Sequence, residues 1–116
     1  MQEYIKNILI LYTAQCILVV LSLFLIIKKA VSMFEVGKKY LVRTVTMTIV
    51  GECNGVGKKE LMFKSASWIA DTGRFHDCLK TGNFSEVEPF VNDVIVGRGA
   101  IVDATEFRHK LPKEQK

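Results

Sequence analysis

The sequence is short of the residues that staple small folds or carry out chemistry. Its three cysteines, Cys16, Cys53 and Cys78, are odd in number and scattered, so they outline no disulfide framework. No Cys-x-x-Cys pair occurs, and a structural zinc site wants four ligands in close pairs. His76 and Cys78, two residues apart, would point in different directions on a helix. Ser65, Ser67, Asp71, His76 and Asp77 supply nucleophile, base and acid types, but in no elbow or triad spacing. Gly97-Arg98-Gly99 does not open a helix after a strand and so is no phosphate fingerprint. The expectation is a non-enzymatic chain without metal or cofactor.

Charge is missing over one long stretch. From Ile8 to Ile27, twenty consecutive residues carry none. At 1.5 Å per residue such a helix matches the roughly 30 Å hydrocarbon layer of a bilayer. A helix is also the one single-segment structure that satisfies its own backbone in lipid. A cleaved signal peptide would have a shorter apolar region, followed by small uncharged residues, whereas Lys28 and Lys29 stand directly after this run. An uncleaved anchor is the expectation. Glu3 offsets Lys6 on its N-terminal side, and Lys28, Lys29, Lys38 and Lys39 follow on its C-terminal side. The positive-inside tendency then places the C-terminal part in the cytosol, with those four lysines against lipid headgroups. Tyr12, Gln15, Val19 and Ser22 recur three and four apart and share a helix face, an expected surface for contact with another membrane helix or a second copy.

The chain thus divides into an anchor over residues 1–32, a domain over 33–107 and a basic polar tail over 108–116, expected to be loose. A domain of that size buries only about 60% of its unfolded surface, which leaves room for one small core. The net charge of +4 is unevenly spread. From Glu52 through Glu106 there are six basic and nine acidic residues, so the body of the domain is acidic. Nucleic-acid binding wants a basic stripe across the folded face and is disfavoured as a partner.

Tyr40 to Val50 reads as one long strand, with Val45, Met47 and Ile49 inward and Thr44, Thr46 and Thr48 outward. Asn54 to Gly57 reads as a turn and Glu60 to Lys64 as the returning strand. Asp71 is placed to cap a helix from Thr72 to Lys80, with Phe75, Cys78 and Leu79 on one face, an Asp71–Arg74 ion pair, and Gly82 as the stop. Phe84 to Pro89 reads as an edge strand closed by proline. Val91 to Phe107 holds one long strand, or two joined by a kink at Gly97-Arg98-Gly99. The pattern predicts an α+β chain: a membrane helix, then a small antiparallel SH3-like or Sm-like β-barrel with one inserted helix. Trp68, Arg74 and Phe75 form the expected partner-contact patch, and Arg98 is a further contact candidate.

Two resemblances bear on function. Val50-Gly51-Glu52 and the segment from Val96 to Ile101 resemble the two strand motifs of Sm-like proteins, without the RNA-contacting residues that follow the hairpin there. Phe34 to Tyr40, Trp68 to Phe75, Glu86 to Phe90 and Val96 to Asp103 resemble segments of small uncharacterised proteins of phages and bacterial genomes. The second resemblance covers residues 33–116 and leaves the apolar helix outside it. It implies a virion or envelope setting and no activity. Two readings follow. One is a membrane-anchored structural or protein-interaction module. The other is a soluble Sm-like nucleic-acid binder translated from Met33.

Overall fold

A computed structural model describes residues 2–31 and 33–116; the side chains of residues 24–31 fall outside the described set. The chain forms two compact units, Met1–Met33 and Phe34–Lys116. The first is a single helix, α1 (Gln2–Val31). Its window Gln2–Leu23 is long and apolar enough to cross a membrane, with a mean hydropathy of 1.8 and none of it buried. The Thr13 hydroxyl donates back to the carbonyls of Leu9 and Ile10, so this polar side chain needs no partner outside its own helix.

The second unit is a sheet with one short helix. Its elements are β1 (Lys39–Thr44), β2 (Thr48–Val56), β3 (Glu60–Asp71), α2 (Phe75–Thr81), β4 (Glu86–Pro89), β5 (Val94–Gly97), a 3-10 turn (Arg98–Ala100) and β6 (Ile101–Glu106). All pairings are antiparallel, in the order β4-β3-β2-β1-β6, with β5 also on β3. The expected closed barrel is not formed: no ladder joins the two ends of the sheet among the described residues. Strand β3 is divided between partners. Glu60–Phe63 pairs with β5, while β4 pairs with the half from Ser67 to Asp71.

A bulge at Ser65 accounts for that division. Val50 pairs with Ser67 and Glu52 with Lys64, so Ser65 and Ala66 together oppose Gly51. A Cβ on Gly51 would lie 2.9 Å from the Ala66 Cβ and 3.1 Å from the Phe63 Cβ, which is why glycine stands there. Ser65 takes φ +50°, a left-handed backbone that L-residues adopt at a cost of about 1–2 kcal/mol. The extra residue also switches the alternation. Leu61 and Phe63 before the bulge, and Ala66 after it, all join one cluster, with Tyr40, Val42, Ile49, Cys53 and Val96. Ile69 falls on the other, with Leu41, Val50, Cys78, Phe84, Val87 and Phe107. The sheet is therefore buried on both faces by two small cores, where one was expected. Ser65→Gly is expected to stabilise the domain by about 0.5–1 kcal/mol, because relief of the left-handed strain exceeds glycine's added chain entropy. A denaturant midpoint that fell instead would show that the serine side chain stabilises the bulge.

The long first strand of the sequence reading is a hairpin. The Thr44 hydroxyl accepts the Met47 N–H at 3.0 Å, and the Thr44 N–H donates to the Met47 carbonyl at 2.8 Å, closing a tight loop. Val45 is accordingly exposed and Met47 half-exposed; only Ile49 of the three is buried. The period-two pattern runs through the loop because the loop residues satisfy the same alternation without pairing. Strand β2 likewise continues through Asn54 and Gly55 to Val56, and the turn falls at Gly57, whose N–H donates to Glu60 at 2.8 Å.

Helix α2 starts later than expected. The Asp71 carboxylate accepts the Gly73 N–H at 2.8 Å, which makes a turn ahead of the helix and leaves Arg74 at the N-cap. Asp71 makes no ion pair with Arg74 among the described residues. Gly82 ends the helix as expected, at φ +79° with its N–H on the Cys78 carbonyl at 2.9 Å. Strand β4 lies at one end of the order, and Val91–Phe107 resolves into β5 and β6 around the Gly97 to Ala100 bend.

The tail is not loose. Phe107 stacks on Phe84 with centroids 5.7 Å apart, and His109 packs edge-on to Phe107 at 5.3 Å. The His109 Nε2 lies 2.9 Å from the Leu79 carbonyl, and Leu111 packs against the second core. Lys116 and Val87 exchange backbone hydrogen bonds at 3.0 and 3.1 Å, and Gln115 donates to Glu88 at 3.0 Å. The segment after Phe107 is thus a strap running from α2 to the outer edge of β4.

Candidate functional site

The residues expected to form one contact patch are separated by the sheet. Trp68 follows the bulge in the parity of Ala66, directly across from Ile49, so it lies on the first-core face. Phe75 packs under the Arg43 guanidinium, 4.7 Å from its ring centroid, and Arg43 shares a face with Leu41 of the second core. Trp68 and the Arg74–Phe75 pair therefore occupy opposite faces. The sequence does not show this, because nothing in it marks the bulge at Ser65.

On the Trp68 face a different apolar neighbour appears. The Phe90 N–H donates to the Ala66 carbonyl at 2.9 Å, and Trp68 pairs with Glu88, so Trp68 and Phe90 are diagonal neighbours on one face. Trp68 is 42% exposed and Phe90 37%, large fractions for side chains beside a core. Met47 precedes β2 in the parity of Ile49 and is also partly exposed. The next residue after Phe90, Val91, is almost wholly exposed. Sequence reasoning missed Phe90 because it follows the strand-ending Pro89. The available signal was the apolar pair Phe90-Val91 at a turn.

Arg43 is held firmly. Its Nε donates to Asp103 at 2.7 Å, and its second nitrogen bonds the other carboxylate oxygen. This bidentate pair keeps the Asp103 carboxyl below its ordinary range. A depressed carboxyl stabilises the fold above its ordinary pKa and loses that contribution as the pH falls through the folded value. Asp103→Asn is therefore expected to flatten the loss of stability below about pH 4, measured as denaturant midpoints against pH. An unchanged acid limb would show that the pair contributes nothing.

Of the lysines expected against lipid, Lys28 and Lys29 have side chains outside the described residues. Lys38 is exposed and ion-paired with Glu35 at 3.0 Å, and that carboxylate raises its pKa. The Lys39 ammonium donates to the His109 carbonyl, at the rim of a hollow under the strap. On α1, Tyr12, Gln15, Val19 and Ser22 are all exposed and lie within one stripe of the helix. Arg98 sits half-buried in the turn between β5 and β6, its N–H on the Lys59 carbonyl at 2.9 Å.

The groups considered for chemistry are dispersed. Cys53 lies in the first core and Cys78 in the second; burial pushes both thiols up, away from the reactive thiolate. Ser67 is fully buried, and its hydroxyl has no hydrogen-bond partner among the described residues. His76 is exposed on α2 and makes no described hydrogen bond to a serine or carboxylate. No three His, Cys, Asp or Glu side chains gather as metal ligands among the described residues. Compared with known proteins, the chain matches no family model, and no curated protein or solved structure shows significant similarity to it.

Proposed function

We propose that this protein is a membrane-anchored, non-enzymatic interaction module, with α1 in the bilayer and the sheet domain on the cytosolic side. The observation that carries the reading is the Gln2–Leu23 window, which is wholly exposed and apolar beside a separately compact unit. Exposed leucine, isoleucine and valine cost roughly 25 cal/mol per Å² in water, and lipid removes that cost. The stripe Tyr12, Gln15, Val19 and Ser22 is the surface for a second copy in the membrane. The Trp68–Phe90 face is the surface for a protein partner, since exposed tryptophans are common binding anchors. The finer fold reading is an open SH3-like arrangement, supported by the path β5-β3-β2-β1-β6 with a 3-10 turn between β5 and β6. The resemblance to small phage and bacterial proteins favours a virion or host envelope as the setting.

Flotation of the full chain with lipid vesicles tests the anchor, and crosslinking in the membrane tests the helix contact. The expected outcome is co-flotation that survives high salt and alkaline carbonate, with a crosslinked oligomer reduced by Gln15→Leu and Ser22→Leu together. A chain that remains dissolved and monomeric without detergent would end this reading. The rival reading, a nucleic-acid binder, would then be favoured by salt-sensitive RNA binding.

A further inference from the structure

The domain gathers four of its lysines around one hollow. Between the strap and the sheet lies an open hollow of about 910 Å³, lined by Lys39, Lys110, Lys113 and Lys116, with Ser65 at the bulge and Glu114 as its one acid. Four lysines line it against the one acidic side chain of Glu114. Elsewhere Lys38, Arg43, Lys64 and Arg108 each have a carboxylate within 3.5 Å, while Lys58, Lys59, Arg74 and Lys80, outside the hollow, make no ion pair among the described residues. The four hollow lysines form no ion pair among the described residues.

The strap presents these lysines on an ordered support. Leu111 is packed on the second core, and Lys116 is paired through its backbone with Val87. The Lys39 ammonium uses one of its three protons on the His109 carbonyl and retains two. The left-handed Ser65 puts an exposed hydroxyl at the same place. Fixing the support removes part of the entropy cost of collecting four like charges around a ligand. The like charges repel one another until an anion arrives, so binding is favoured most by a compact ligand with several oxygens.

We propose that this hollow is a binding site for a phosphoester group. Lysines act on phosphate as point charges, without the fork geometry that a carboxylate would call for from arginine. The open hollow admits a headgroup-sized ligand with room to spare. The phosphoester has two possible sources, an anionic phospholipid or a soluble phosphorylated metabolite. The lipid source rests on the membrane reading above, and the site itself does not.

The test uses the full chain in nonionic detergent, titrated with glycerol 3-phosphate by calorimetry. In parallel, the chain is placed in nanodiscs of phosphatidylcholine with and without phosphatidic acid, and lysine side-chain resonances are followed. Lys110→Gln with Lys113→Gln is expected to weaken glycerol 3-phosphate binding about tenfold. Lys58→Gln with Lys59→Gln removes equal charge at the β2–β3 turn and is expected to leave binding within about twofold. Shifts of the strap lysines in both arms, or in either one, support the site and assign its source. No saturable binding in either arm, or equal losses in the two double variants, would overturn it. A chain that binds glycerol 3-phosphate but does not float with vesicles keeps the site and loses the anchor. One that floats without binding keeps the anchor and loses the site.

Discussion

Two arginines on the apolar helix, Ala14→Arg with Leu18→Arg, are expected to remove the protein from membranes. Each arginine near the centre of a spanning helix costs about 2.5–3.5 kcal/mol on insertion scales, so the pair opposes insertion by about 5–7 kcal/mol. The positions fall inside the window Gln2–Leu23, which has no buried residues. The substitutions therefore leave the sheet domain's packing alone, and its unfolding transition serves as the control. The measurement is the fraction floating with vesicles after carbonate extraction. Native protein should float and the double variant should pellet or stay in the aqueous phase. A variant that still floats would mean that the helix is not what holds the chain to lipid. Mass determination of the membrane-associated native protein separates an anchor from a signal sequence, since cleavage would remove the helix altogether.

Gly82→Ala is expected to cost the sheet domain about 3 kcal/mol, the largest effect of any single substitution considered. Two causes add. At φ +79° an alanine is strained by about 1–2 kcal/mol. Its Cβ would also lie 2.5 Å from the His109 Cβ and 2.6 Å from the ring, and overpacking of that kind costs about 1–3 kcal/mol. The displaced ring would lose its contact with the Leu79 carbonyl and with Phe107, so the strap loosens at its root. A domain of this size is stable by roughly 4–12 kcal/mol, so the loss is a large share. Adding His109→Gly, which removes the Cβ together with the ring, should recover the steric part and leave the backbone part, giving a coupling of about 1 kcal/mol or more in a double-mutant cycle. Unfolding midpoints within 0.5 kcal/mol of the native protein's, a limit set by what surface changes do, would show that the strap does not rest on Gly82.

The two expectations differ in where they come from. The helix was legible because hydropathy acts residue by residue: twenty uncharged positions exclude water whatever follows them. The Gly82 stop was legible for a similar reason, since left-handed backbone at a helix end is a local preference. The candidate contact patch was not. Trp68 and Phe75 are seven residues apart, and the face on which Trp68 falls depends on one extra residue at Ser65, which reverses the facing of the rest of β3. A bulge is set by pairing with β2, at Gly51, and so depends on a strand fourteen residues back in the chain.

From its own composition and periodicity the chain determined an apolar N-terminal helix, an antiparallel mostly-β remainder, a short helix stopped at Gly82, and a bend at Gly97 to Ala100. Tertiary structure alone decided that the sheet stays open, that its two faces carry separate cores, and that the basic tail becomes a strap gathering four lysines around one hollow. The physical reason is range. Hydropathy and backbone preference are properties of neighbours in sequence, whereas the docking of Leu111, His109 and Lys116 is decided by surfaces assembled from residues tens of positions away.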